Sequence, residues 1–364
     1  MKKVKIVFVI HSLQAGGMER VVSILSNHIV ENKDIEVHII LYGIYRDIFY
    51  PLSDKIQIHK PQFKFNNRNR FFSTLRTILF LREKIKFINP ISVLSFGEYW
   101  NNLVLISTYG VNIPIYIADR STPLKDLGKV QNILRNYLYP KASGLIVQTE
   151  KAKQIYQKIF KNLNISVIAN PIRDIKNKKK IKRENIVIMV GRLINTKHQD
   201  RLIKIFSKID NLDWKLILVG DDAKKQNNKE KLTQLINDLK LKNRVVLAGE
   251  QKDIESYYLK SKIFAFTSSS EGFPNVIGEA MSSGLPVVAY DCLSGPSDLI
   301  KNNNDGFLIP LFNDKIFKRK LELLMNDESL MMEIGNNAKK SIKKFNLDEI
   351  SELFLSTILG KNRY

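Results

Sequence analysis

Short apolar runs rich in β-branched residues, alternating with helix-like stretches along the whole chain, limit what it can fold into more than any other feature. The first half carries "VKIVFVI", "IEVHIILY", "ISVLSF", "IPIYIA" and "GLIVQT"; the second carries "NIVIMVG", "WKLILVG", "RVVLAG", "KIFAFTS" and "LPVVAY". Strands apolar on both faces suit the interior of a parallel sheet, and the stretches between them supply its crossover helices. The 364 residues exceed what one core accommodates, so the pattern reads as two α/β domains in succession. Between the two sets lies "NPIRDIKNKKKIKREN", residues 170–185, polar, strongly basic and opened by a proline, which reads as a linker. The expected division is residues 1–170, a linker at 171–184, residues 185–345, and a C-terminal helix at 346–364 packing back on the first domain.

Composition narrows the class of partner. No apolar stretch reaches the roughly 18 residues that span a bilayer, and the apolar part of "MKKVKIVFVIHSLQAGG" is short for a signal peptide. The single cysteine, Cys292, allows no intrachain disulfide and no cysteine metal cluster, and it reads as a small packed residue. A cytoplasmic location is the expectation. The net charge of +22 is uneven, since residues 1–180 hold 29 Lys and Arg against 12 Asp and Glu. Such an excess suits an anionic partner: nucleic acid, a phospholipid surface or a diphosphate-bearing substrate. No nucleic-acid module accompanies it, so nucleic acid is set aside.

Ligands of open α/β sheets sit beyond the carboxyl ends of the strands, which makes the segments after strands the ones to read. After the first strand, Gly16 and Gly17 precede a helix, where a glycine pair lets backbone approach a phosphate. A Gly-Gly turn between strand and helix is also common without a ligand. Of the five histidines, which show no metal-ligand spacing, His11 at the end of that strand is the one that could face a ligand. After "NIVIMVG", Arg192 and Lys197 stand on the loop entering the next helix, either as a fork and a point charge for a diphosphate or as two solvated cations. "GDDAKK" reads as a polar turn, not a metal site. After "KIFAFTS", the string "EGFPNVIGEAMSSGLPVVAYD" places Glu271 before a Gly-Phe-Pro turn and Glu279 eight positions on, about two turns along and inside a helix. Carboxylates so spaced suit the vicinal hydroxyls of a sugar and a ribose, although a capping acid and an exposed helix acid look alike in isolation.

That string closely resembles the Glu-x7-Glu signature of retaining glycosyltransferases of the GT-B fold, glycosyltransferase family 4. "GGMER", "GRLINTK", "SGPSDLI" and "NDGFLIP" accompany it in order, so the resemblance spans nearly the whole chain. It implies two Rossmann-like domains whose parallel sheets face each other across a cleft, the first binding the acceptor and the second the nucleotide sugar. Carried over by resemblance, Glu271 contacts donor sugar hydroxyls, Glu279 the ribose, and Arg192 with Lys197 the departing diphosphate, which Gly16 and Gly17 approach from the first domain. Backbone at Asn275 and Val276 holds phosphate or sugar oxygens, and backbone around Gly249 and Ile254 meets the base.

The stretch "IADRSTPLKDLGKVQNILRNYLYPKASGLIVQTEKA" is similar to the branch that builds bacterial surface polysaccharides and lipid-linked oligosaccharides. Many relatives place a histidine near Asp119; here Asp119 and Arg120 stand there, which leaves open the group over the reacting carbon, with Asp119 as the candidate. His198 occupies a position where glycine is more usual. The implied reaction moves a hexose or N-acetylhexosamine from a nucleoside diphosphate sugar, UDP being the expected carrier, to a glycan or polyprenyl-diphosphate-linked acceptor. No metal and no cofactor beyond the donor is expected. A sugar-nucleotide epimerase of the same architecture and a non-catalytic partner subunit are the alternatives. Finally, residues 63–87, "FKFNNRNRFFSTLRTILFLREKIKF", set Arg68, Arg70, Arg76, Arg82, Lys84 and Lys86 around Phe71, Phe72, Leu75, Ile78 and Leu79. A surface helix of that kind can lie on an anionic membrane, here the inner face of the cell membrane. Phe80, Leu81, Phe87 and Ile88 spread apolar positions round the helix, as in a packed domain helix.

Overall fold

The computed structural model describes residues 3–223 and 226–360, which leaves Lys224 and Lys225 of "GDDAKK" outside the described residues. The chain divides into two compact units, Met1–Pro171 with Leu347–Tyr364, and Ile172–Asn346. In the first, β1 (Val4–Ile10), α1 (Gly17–Ile29), β2 (Ile35–Leu41), β3 (Gln57–His59), α2 (Arg70–Ile88), β4 (Ser92–Phe96) and α3 (Glu98–Ser107) are followed by β5 (Ile115–Ala118), α4 (Lys129–Leu138), β6 (Gly144–Val147), α5 (Glu150–Ile159) and β7 (Ile165–Val167). The second unit holds β8 (Ile186–Val190), α6 (Gln199–Phe206), β9 (Lys215–Val219), α7 (Asn228–Asp238), β10 (Val245–Gly249), α8 (Ile254–Lys260) and β11 (Ile263–Phe266). It continues with α9 (Asn275–Ser282), β12 (Val287–Asp291), α10 (Pro296–Leu299), β13 (Phe307–Pro310), α11 (Asp314–Asn326) and α12 (Glu328–Ser341). Then α13 (Leu347–Leu359) returns to the first unit, burying Ile350, Phe354 and Ile358 against α1 and β4.

Both sheets are parallel, in the orders β3-β2-β1-β4-β5-β6-β7 and β10-β9-β8-β11-β12-β13. The central strands explain the sequence pattern. Ile6 to Ile10 of β1 are buried, with β2 on one side and β4 on the other, so every position needs an apolar side chain. In each sheet the order reverses direction once, between β1 and β4 and between β8 and β11. Loops leaving such a pair at its carboxyl end frame a crevice within the unit. Strands β3, β7 and β13 add three to the runs legible in the sequence; at three or four residues each they are too short to form a pattern.

Two stretches differ from the simplest reading. Residues 172–185 form neither helix nor strand, yet Ile172 and Ile175 are buried and the Ile175 N–H donates to Ser282 Oγ at 2.9 Å. Arg173, Lys176, Lys178, Lys179 and Lys180 thus belong to the second unit, and the basic excess of residues 1–180 is shared between the two. Helix α2 is apolar all round because it serves two faces. Leu81, Ile85 and Ile88 are buried, while Phe71, Phe72, Leu75, Leu79 and Phe87 stand exposed, Phe71 by 75% and Phe87 by 80%.

Candidate functional site

The reversal point of the second sheet gathers the charged residues singled out from the sequence. Strand β8 ends at Val190, and at Gly191 the backbone turns so closely that a Cβ on Gly220 would lie 2.1 Å from the Gly191 carbonyl oxygen. A single turn of 3-10 helix, Asn195–Lys197, follows, and His198 takes a left-handed conformation (φ 52°) before α6 begins. Hydroxyls from the segment after β11 fasten this turn. Thr267 Oγ1 donates to the Lys197 carbonyl at 2.9 Å, Ser268 Oγ to the Thr196 carbonyl at 3.1 Å, and the His198 ring meets Ser269 Oγ at 2.8 Å. The Ser269 N–H also donates to the Thr196 carbonyl. Held in this way, Lys197 forms an ion pair with Glu271, each side chain about 15% exposed. Arg192, on the same loop, is exposed.

Beyond Glu271 the chain turns through Phe273 and Pro274, both buried, into α9, whose first residues are Asn275 and Val276. The turn is pressed by the segment "SGPSDLI": Ser294 Oγ donates to the Gly272 carbonyl, and a Cβ on Gly295 would lie 2.3 Å from Pro274 Cδ. Cys292 lies buried in the same region, its thiol pushed up to about 12 by burial and by the Glu271 charge. Glu279 lies one turn into α9, the preceding residues being loop and not helix, and it is 4% exposed. Tyr258 OH donates to it at 3.1 Å and Arg173 Nη2 at 3.2 Å, while Arg173 Nη1 reaches Glu255 Oε1 at 3.2 Å. Glu255 follows Ile254 at the start of α8, which Asp253 caps through the Ser256 N–H. The structure therefore joins Glu279 to the α8 start through Arg173. Gly249 closes β10 at a left-handed φ of 68°, and its carbonyl accepts from the Gly220 N–H. Arg173 is the residue the sequence reading missed: it stands in a run of cations, and its partner Glu279 is 106 positions away.

In the first unit, Gly16 precedes α1 in an extended conformation and Gly17 opens it. Near them, where β1 meets β4, Met18 approaches Gly97 at the β4–α3 turn. His11 stacks on Trp100 with centroids 3.8 Å apart, and burial pushes its pKa down to about 4, so the ring is neutral at pH 7. Asp119, which follows β5, is buried. Tyr156 OH donates to one carboxylate oxygen at 2.6 Å; Tyr139 OH and Asn101 Nδ2 donate to the other at 2.8 and 2.9 Å. Burial and the Glu98 charge raise its pKa to about 6, against the pull of the two tyrosine hydrogen bonds. Both oxygens are thus engaged inside the unit, an arrangement that makes Asp119 a hub tying β5 to α3, α5 and Tyr139. Arg120 lies between the rings of Phe96 and Phe354, with burial lowering its pKa to about 10. Among the described residues, no group of three or more His, Cys, Asp or Glu side chains is arranged to hold a metal ion, and no helix is long and apolar enough to cross a membrane.

Residues 171–341, nearly the whole of the second unit and including Lys197, Glu271 and Glu279, match the family described as glycosyl transferases group 1. That match makes the second unit a group 1 glycosyl transferase region. Over 362 residues this glycosyl transferase is 28% identical to a Campylobacter jejuni protein, covering 97% of this chain and 98% of that one. That relative is named as a GalNAc-α-(1→4)-GalNAc-α-(1→3)-diNAcBac-PP-undecaprenol α-1,4-N-acetyl-D-galactosaminyltransferase. The transferase is also 27% identical to an amylovoran biosynthesis glycosyltransferase of Erwinia amylovora, over 87% of this chain and 88% of that one. Among solved structures, Anabaena HepE in complex with UDP superposes with a TM-score of 0.78 at 19% identity, over 97% of this chain and 99% of the other. At that identity the likeness speaks for the fold, the GT-B architecture of two parallel-sheet Rossmann-like units.

Proposed function

We propose that this glycosyl transferase moves a hexose or N-acetylhexosamine from UDP to a hydroxyl of a polyprenyl-diphosphate-linked glycan, with retained anomeric configuration, in the assembly of a bacterial surface polysaccharide. The observation that carries the reading is the Lys197–Glu271 pair at the reversal point of the second sheet, inside the family match. The C. jejuni relative's name, with its undecaprenol-linked acceptor, supports the acceptor class, and the UDP in the HepE structure supports the carrier.

In this reading the second unit binds the donor. Lys197 and Arg192 take the diphosphate, Glu271 exchanges part of its interaction with Lys197 for sugar hydroxyls, and Glu279, oriented by Tyr258 and Arg173, accepts from the ribose. Backbone N–H groups at Asn275 and Val276 serve phosphate or sugar oxygens, and backbone at Gly249 and Ile254 meets the base. The acceptor oxygen bonds to the anomeric carbon on the face from which the phosphate departs. The anomeric carbon–phosphate oxygen bond breaks, and the acceptor proton passes to the departing phosphate. Charge develops on that phosphate, so cations fixed beforehand lower the barrier. Two protein cations do here what a divalent metal does elsewhere, and turnover is expected to survive a chelator. The first unit receives the acceptor and lies peripherally on the inner face of the cell membrane, its exposed Phe71, Phe72, Leu75 and Leu79 among headgroups.

The test is release of UDP from a panel of UDP-sugars, with and without a prenyl-diphosphate-linked glycan, and anomeric analysis of the product by NMR. Acceptor-dependent UDP release with an α-linked product from an α-linked donor is expected. An inverted product, or epimerised nucleotide sugar without transfer, overturns the proposal.

A further inference from the structure

The first unit contains a half-open cavity of about 280 Å³ that no residue assigned to the donor lines. Its walls are mainly apolar, with Ile78 from α2, Trp100, Leu103 and Ile106 from α3, and Leu134 from α4, while His11, Asn102 and Gln131 add polar groups. Arg70, exposed at the start of α2, also lines it and stands at the mouth, with Ile44 and Tyr99 exposed beside it. The two helices that flank α3 in this wall also carry apolar side chains outward, Phe71, Phe72 and Leu75 on α2, Val130 and Ile133 on α4. A mainly apolar hollow is thus walled by helices that also carry apolar side chains outward, and the cation that lines it is Arg70.

We propose that this cavity binds the first isoprene units of the prenyl chain of the acceptor, with Arg70 against its diphosphate. The inference rests on the acceptor class proposed above and deepens it. A sugar would meet only a few polar groups, among them His11, Asn102 and Gln131, and would press its remaining hydroxyls against apolar wall, which costs free energy. A hydrocarbon chain loses nothing polar and gains the burial of its methyl groups. A free acyl chain lacks the second negative charge that suits a guanidinium at the mouth; a prenyl diphosphate supplies both parts in one molecule.

The experiment is a titration of the whole chain with geranylgeranyl diphosphate below its micellar range, read by tryptophan emission. The protein has two tryptophans, and Trp214 is buried in the core of the second unit, so a change reports Trp100 in the cavity wall. A saturable change is expected with geranylgeranyl diphosphate and none with inorganic diphosphate. Ile78→Phe with Ile106→Phe, which fills the hollow, is expected to weaken binding at least tenfold. Should that core variant fail a circular-dichroism melt, Thr74→Phe, which plugs the half-exposed mouth from the surface of α2, is expected to do the same. Arg70→Ser is expected to weaken the diphosphate several-fold and leave geranylgeraniol unchanged. No saturable change, an equal response to inorganic diphosphate, or undiminished binding in Thr74→Phe overturns the proposal. No nucleotide sugar is present in the titration, so its failure is separate from any failure of transferase activity.

Discussion

Replacing Lys197 by alanine takes from Glu271 the ammonium beside it and, in the mechanism proposed above, removes a cation from the departing diphosphate. A lowering of kcat by about 100-fold or more is expected, measured on variant protein that circular dichroism shows to be folded. Glu271→Gln is expected to weaken donor use in the same steady-state assay, and unchanged kinetics in both variants would remove the site assignment. Asp119 makes a different prediction. Its carboxyl is held near 6, above the value of an unfolded aspartate, so the folded state keeps its proton over a wider range. The stability this contributes is full below about pH 4 and is lost as pH rises through 6, on the order of 2 to 3 kcal/mol. Urea denaturation at a series of pH values is expected to show that slope in the parent and not in Asp119→Asn. Lys197, Glu271 and Glu279 could be read from the sequence because they sit in short strings of fixed spacing after strands. Arg173 could not, since its meaning comes only from reaching Glu279 and Glu255 across the fold. Nor could the burial of Asp119, whose three donors come from three separate segments.

At the level of elements, the segment after β11 works as a clasp on the turn that carries Lys197. Thr267 is fully buried and its hydroxyl serves the Lys197 and His198 carbonyls. Thr267→Val keeps the shape and deletes the donor, taking the hydroxyl from the Lys197 carbonyl, while the His198 carbonyl keeps the Arg201 and Leu202 N–H groups. Destabilisation of about 1 to 3 kcal/mol by chemical denaturation is expected, together with a fall in kcat larger than any rise in KM. A variant that loses stability but keeps kcat would show that the clasp holds the fold and not the ammonium. The helices and the long central strands were legible because apolar periodicity accumulates over seven or more residues, as in β1. The edge strands β3 and β7 were not, because they owe their conformation to the neighbour they pair with. Helix α2 was ambiguous in the sequence for a physical reason, since both of its faces are apolar and only packing distinguishes the buried one.

For the molecule as a whole, the charge of +22 and the outward aromatic residues of α2 are the grounds on which the proposed association with an acidic bilayer is tested. Flotation with anionic liposomes is expected at low salt and to vanish at high salt, since each basic residue near the surface contributes on the order of 1 kcal/mol and is screened. Arg68, Arg70 and Arg76 changed to Ser are expected to reduce it, and no flotation at low salt would sink the idea. The first unit is also discontinuous in sequence, with α13 supplying Ile350, Phe354 and Ile358 to its core. Losing three such side chains costs on the order of 10 kcal/mol, comparable to the whole stability of a domain. A chain ended after Asn346 is expected to give a protease-resistant fragment from the second unit and none from the first. The same connection sets an order of events on the ribosome. Roughly 190 residues separate Pro171 from the end of α13, so at ~5–20 residues per second the N-terminal unit waits roughly 10 to 40 s for its last helix. The second unit is complete before then, and the part of the protein made first is the last to close.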